Sequence, residues 1–256
     1  LALGQGYFVR SINTRGMVNV VSVGEFDLDE GTLHAAADTH LDLKSGDEDQ
    51  RNWKREGLNR GQSWLNQRDL TADSVLEYTS ELREATGGDH PILSEEDFDD
   101  LEAKVADDAG NFVEDLVALF EDESSLEDRI ERFRTNQDID LTVISALLTT
   151  SDPDRYVLYD QESFETVIRY FTGIHNPNLG DLSVGRKYDL YRDYCSTIQT
   201  DVLSEKLTDA TLQDAQEFVG TVTHSAECRY NFILRYFFRH TRQLEEFEEE
   251  TSVFLD

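Results

Sequence analysis

Cysteine, proline and lysine are all scarce in this chain of 256 residues, which holds two Cys, three Pro and five Lys. Cys195 and Cys228 allow at most one disulfide and form no Cys-x-x-Cys pair, which excludes a disulfide framework and the common zinc or dithiol motifs. Reduced, buried thiols are expected. No run of about eighteen apolar residues is present. The opening residues Leu1-Ala2-Leu3-Gly4-Gln5-Gly6 lack the charged and apolar regions of a signal peptide. The expectation is a cytoplasmic protein with no membrane partner. With 38% hydrophobic and 10% aromatic residues the chain can bury a sizeable core, which excludes disorder throughout.

Several catalytic signatures are missing as well. The nearest approach to a phosphate-binding loop, Gly57-Leu58-Asn59-Arg60-Gly61-Gln62-Ser63, lacks the Lys and the spacing that would cradle a nucleotide. Gly-x-Ser-x-Gly and His-Glu-x-x-His do not occur. His34, His40, His90, His175, His224 and His240 show no metal-ligand spacing with Cys or Glu, so no metal and no cofactor is expected from them.

Carboxylate is what the chain has in abundance: 54 Asp and Glu against 23 Lys and Arg, a formal net charge of -31. The acids run through the whole sequence rather than gathering in a tail. Self-repulsion at that charge destabilises a compact state in dilute buffer, whereas molar salt shortens the Debye length to roughly 3 Å and removes most of the penalty. With Arg far exceeding Lys, the composition resembles that of cytosolic proteins from salt-accumulating haloarchaea, and a halophilic setting is expected.

Periodicity points to an α+β protein that is mainly α, with a small N-terminal antiparallel β element followed by a multi-helix domain. Residues 6–10 and 17–23, rich in β-branched and aromatic side chains and separated by Asn13-Thr14-Arg15-Gly16, read as a hairpin. In residues 33–43 His34, Ala36, Asp38, His40 and Asp42 alternate with Leu33, Ala35, Ala37, Thr39 and Leu41, which reads as a third strand. Residues 50–67 read as a loop with short helical turns. A helix follows from Thr71 to a stop at Gly87-Gly88. Further helices are expected from Ser94, from Ser124-Ser125, over 141–148 up to Asp152-Pro153, over 163–170, over 188–207, over 211–219 and over 226–250. The expected organisation is residues 1–50 as the β element, 51–90 as a basic and aromatic loop with a connecting helix, and 91–256 as the helical domain.

In so acidic a chain the segments that are not acidic carry information. One holds Arg51, Trp53, Lys54, Arg55, Arg60, Trp64 and Arg68, including both tryptophans. Cations that neutralise phosphate beside rings that stack on bases are what a nucleic-acid contact needs. The competing reading is Trp in the core with Arg paired to neighbouring acids. The other segment is 229–242, where Phe232, Ile233, Tyr236 and Phe237 take core-facing spacing and Arg235, Arg239 and Arg242 form a basic ridge on the opposite side. That ridge could face phosphate or the acidic surface of a partner.

The one catalytic alternative is Asp42-Leu43-Lys44 at the end of the expected third strand, with Glu25 or Asp27 upstream. Metal-dependent nucleases set two carboxylates on one divalent cation near a Lys, and Mg would be required under this reading alone. A third reading is a protein-interaction scaffold docking through its aromatic-rich terminal helix.

The stretch Ile144-Ser145-Ala146-Leu147-Leu148-Thr149-Thr150-Ser151-Asp152-Pro153-Asp154-Arg155-Tyr156-Val157-Leu158-Tyr159-Asp160 resembles the helix and Asp-Pro-x-Arg/Lys-Tyr segment that precedes the motor domain in McrB-like modification-dependent restriction proteins. In that family a helix and then a Tyr-x-x-Tyr helix follow. Here residues 164–170 and Tyr188-Asp189-Leu190-Tyr191, with Tyr194, take those places. The resemblance spans roughly 110–240 and omits the motor. It implies a helical accessory or recognition module of a DNA-directed defence system, with DNA and a motor or nuclease subunit as partners. On the residues alone, Ile144, Leu147 and Leu148 pack in the core and Asp152-Pro153 stops a helix.

Overall fold

The computed structural model describes residues 30–45, 58–59, 61–63, 65, 70–86, 93–171, 180 and 182–225. Throughout these residues the regular structure is helical. Helix α1 is Glu30–Ser45, α2 is Ala72–Thr86, α3 is Glu95–Asp107 and α4 is Ala109–Glu121. Helices α5 (Leu126–Gln137), α6 (Leu141–Ser151) and α7 (Gln161–Thr166) follow, and α7 runs into a π-helical turn, π1 (Val167–Phe171). Helix α8 (Val184–Ile198) likewise runs into π2 (Gln199–Leu203), and α9 is Leu212–His224. No described helix is long and apolar enough to cross a membrane.

Side-chain caps set most of the helix starts, by satisfying N–H groups that have no partner inside the helix. Ser94 accepts from the Asp97 N–H at 3.1 Å while the Asp97 carboxylate accepts from the Ser94 N–H at 2.9 Å, a reciprocal box at the head of α3. Thr211 and Asp214 repeat the device at α9. Asp108 ends α3 and begins α4, its carboxylate accepting from the Asn111 N–H. Ser125, Asp140, Asp160 and Ser183 cap α5, α6, α7 and α8.

Helix α6 is central: residues 143 to 150 are buried without interruption, and the hydroxyls of Ser145, Thr149 and Thr150 among them donate to carbonyls one turn back in the same helix. Helices α4 and α5 pack on it with Phe112 edge-on to Phe133 at 5.7 Å. Helix α8 crosses α5 closely, because Gly185 lies so near the Glu127 backbone that a Cβ would come within 2.5 Å of the Glu127 oxygen. Helix α9 packs on α7 and α8, α2 packs on α3 and α4, and α1 lies across α9 and π2. Leu33, Ala37, Val75, Tyr78 and Leu82 join the residues of the later helices in one core cluster. Apolar residues from all three expected segments therefore share a single interior.

The third strand expected over 33–43 is corrected by the structure, since these residues form α1. Leu33, Ala37 and His40 are its buried positions, a spacing of four and three that follows the helical repeat. The hairpin over 6–23 and the helix over 226–250 lie outside the described residues. The helix expected over 188–207 begins earlier, at the Ser183 cap, and gives way to π2, where the Ser204 N–H reaches back five residues to the Gln199 carbonyl at 3.0 Å. Its far end is a turn rather than helix.

Candidate functional site

Residues 152–160, between α6 and α7, have no regular structure beyond one turn, and yet Tyr156, Val157, Leu158 and Tyr159 are all buried. Buried chain without a helix or sheet ladder must find partners for its backbone groups elsewhere, because an unpaired N–H or C=O away from water is costly. Side chains from three helices supply them. The Tyr188 hydroxyl on α8 accepts from the Val157 N–H at 3.3 Å and donates to the Val157 carbonyl at 2.9 Å. Gln216 on α9 accepts from the Leu158 N–H at 2.9 Å, and Ser145 on α6 accepts from the Tyr159 N–H at 2.8 Å. Gln213 on α9 donates to the carbonyls of Pro153 and Tyr156, both at 2.9 Å. The strap is thereby stitched into the bundle bond by bond.

Its side chains are held as firmly. The Tyr156 hydroxyl lies 3.3 Å from the guanidinium of Arg129, a buried cation that also donates to the Leu119 and Phe120 carbonyls at the end of α4. A positive charge at the carbonyl end of a helix is favourably placed. Tyr159 packs against Phe164 and edge-on to Tyr191, with ring centroids 5.9 and 5.8 Å apart. Burial pushes the Tyr188 and Tyr191 phenols well above their ordinary ionisation range and the Cys195 thiol up to about 12, so none is an anion or a nucleophile at neutral pH.

At its exit the strap reaches the surface through Asp160, which caps α7 and meets His224 Nε2 at 3.1 Å. Glu162 lies 3.7 Å from the other ring nitrogen of His224. Burial opposes the Asp160 charge, but bonds from Ser163 and His224 outweigh it and hold the carboxyl below the ordinary range. The imidazole ends α9 and the carboxylates begin α7, the placement that both helix dipoles favour. Among the described residues no three His, Cys, Asp or Glu side chains are arranged to hold a metal ion.

The candidate residues read from the sequence divide sharply. Glu25, Asp27, Arg51, Trp53, Lys54, Arg55, Arg60, Trp64, Arg68, Arg235, Arg239 and Arg242 lie outside the described residues. Asp42 and Lys44 lie on α1 and not at the end of a strand. Asp42 is exposed, whereas Lys44 contacts Asp214 at 2.8 Å and Glu217 at 2.7 Å on α9. The acid-x-Lys geometry of a nuclease strand is therefore absent at this pair: residues two apart on a helix diverge, whereas on a strand they share a face.

Sequence reasoning missed Gln213, Gln216 and Tyr188 as anchors of the strap. For Gln216 a signal existed, since it falls on the same helix face as Leu212, Ala215 and Val219, where an amide would be out of place without a partner. Comparison with protein-family models, with curated proteins and with solved structures finds no match for this chain.

Proposed function

We propose that this chain is a non-catalytic nucleic-acid recognition or accessory module of a DNA restriction or defence system in a halophile. In this reading its helical body carries contacts supplied by Arg51, Trp53, Lys54, Arg55, Arg60, Trp64 and Arg68 and by Arg235, Arg239 and Arg242. The observation that supports it is how the body uses its cations. Lys44, Arg83, Lys104, Arg132, Arg186, Arg192 and Lys206 all lie in ion pairs with the body's own carboxylates. Arg129 serves helix carbonyls. Cations so engaged are poor phosphate ligands; among the described residues Arg134, Arg155 and Lys187 stand outside these pairs, and the two basic and aromatic segments are where several cations and aromatic rings occur together. In molar salt ionic contacts weaken, and stacking by Trp53 and Trp64 would supply the share of binding that salt spares. The engagement of Lys44 by Asp214 and Glu217 speaks against the nuclease alternative, which needs that amine beside a metal-bound phosphate.

The test is binding of labelled duplex and single-stranded DNA, modified and unmodified, in molar potassium chloride with and without magnesium, while cleavage is followed. Binding without cleavage, lost in Trp53→Ala and Arg55→Ala, is the expected result. Magnesium-dependent cleavage would restore the nuclease reading. Failure to bind any of the probes would overturn the module and favour a protein scaffold.

A further inference from the structure

Helix α1 is attached to the described body chiefly through α9 and the end of π2. Leu33 and Ala37 are its fully buried apolar residues and Ala36 packs partly buried against the same core, while several polar contacts join it to α9 and the end of π2. His34 lies 3.6 Å from Glu205, Asp38 accepts from Lys206 at 2.7 Å, and Lys44 bridges Asp214 and Glu217. His40 sits edge-on to Phe218 at 5.7 Å and meets the Thr221 hydroxyl at 2.9 Å through Nδ1. That hydroxyl has one proton and donates it to the Glu217 carbonyl at 2.9 Å, so in this bond Nδ1–H is the donor.

Removal of α1 would strand none of the α9 and π2 groups named here. Asp214 gives one oxygen to Lys44 and the other to the Thr211 N–H and hydroxyl, and it would keep the second set. Thr221 would keep its bond to Glu217. The Glu205 side chain is already 63% exposed, and Lys206, 18% exposed beside Asp38, would turn to water. The strap differs in kind, because each of its anchors holds a backbone group that cannot reach water without opening the bundle.

Charge adds a condition. Helix α1 carries Glu30, Asp38 and Asp42 against Lys44, and α9 carries Asp214 and Glu217 with no Lys or Arg. Apart from the contact pairs, the two helices repel. The Debye length falls from about 10 Å at 0.1 M salt to about 3 Å at 1 M, so salt removes the repulsion between distant carboxylates before it weakens pairs in direct contact.

From these contacts we infer that α1 is a detachable clamp on α9, with Lys44 as its catch, which closes in concentrated salt and opens as a unit when salt is diluted. Opening uncovers Phe218 and Thr221 on α9 and leaves the bundle around α6 intact. It is a sub-global opening of the kind that hydrogen exchange resolves.

The test is amide hydrogen exchange on the full chain, read peptide by peptide, between about 3 M and about 0.3 M potassium chloride. Exchange of α1 peptides is expected to speed up about tenfold or more on dilution, while peptides of α6 and α8 change far less. Lys44→Met, which keeps the aliphatic stem, should raise α1 exchange about tenfold at high salt and leave α6 and α8 unchanged. Thr221→Val, which removes the acceptor of His40, should act in the same direction. Exchange of α1 in step with α6 and α8 at every salt concentration, in the parent and in both variants, would overturn the clamp.

Discussion

The hydroxyl of Tyr188 closes both backbone hydrogen bonds of Val157, accepting from its N–H and donating to its carbonyl in a fully buried site. One phenol thus does for the strap what a neighbouring strand does in a sheet. Tyr188→Phe keeps the ring and leaves two buried backbone groups unpaired, and it should cost about 2–4 kcal/mol. Urea unfolding in molar salt would register this as a lower midpoint with an unchanged slope. A loss below about 0.5 kcal/mol would mean that the strap does not depend on this anchor.

Two glycines should respond to alanine with opposite signs. At Gly185 the added methyl would press on the Glu127 backbone where α5 and α8 cross, with no flexible side chain to yield, and a loss of about 2–4 kcal/mol is expected. At Gly220 nothing among the described residues lies within 4 Å of the added carbon, and the residue is interior to α9. There the reduced freedom of the unfolded chain should win, with a gain of about 0.5–1 kcal/mol. Thermal melts of the two variants in the same salt decide the point.

Asp138 ends α5 with φ of 50 degrees, the left-handed region that costs a residue with a Cβ. Its N–H bonds to the Arg134 carbonyl at 2.9 Å and its side chain is 99% exposed, 3.8 Å from Lys104. Asp138→Gly relieves the backbone and gives up only a surface ion pair, so it should stabilise by about 0.5–1 kcal/mol. A lower melting temperature would show that the contact with Lys104 outweighs the backbone.

Asp214 should make the α1 clamp sensitive to acid. Burial opposes its charge, but bonds from Lys44 and Thr211 prevail and bring its pKa from 3.8 down to about 2. A carboxyl held below its unfolded value contributes stability in full above about pH 4 and loses it as pH falls towards about 2. Exchange of α1 should therefore accelerate across that window. Since Lys44→Met removes the largest stabilising partner, the variant should show a shallower acid response, and identical slopes in the two proteins would contradict the assignment.

The local code was legible where chemistry and periodicity agreed. Ser94, the Ser124-Ser125 pair and the Asp152-Pro153 stop mark real helix boundaries, because a cap or a proline acts within one turn of chain. Residues 33–43 misled because alternation and helical spacing overlap over so short a run. Only packing against α9 separates them, with Leu33, Ala37 and His40 turned inward together.

The sequence by itself determined a mainly helical chain with enough apolar residues for a core, and a large acidic excess. Composition and near-neighbour spacing suffice for both. Tertiary structure alone decided that residues 152–160 run buried without regular structure and that Tyr188, Gln213, Gln216 and Ser145 hold them. It alone decided that Lys44 belongs to α9 and not to a strand-borne acid. Those partners lie 14 to 173 positions apart along the chain, as from Ser145 to Tyr159 and from Lys44 to Glu217. Only the packing of α6, α8 and α9 brings them within reach of one another.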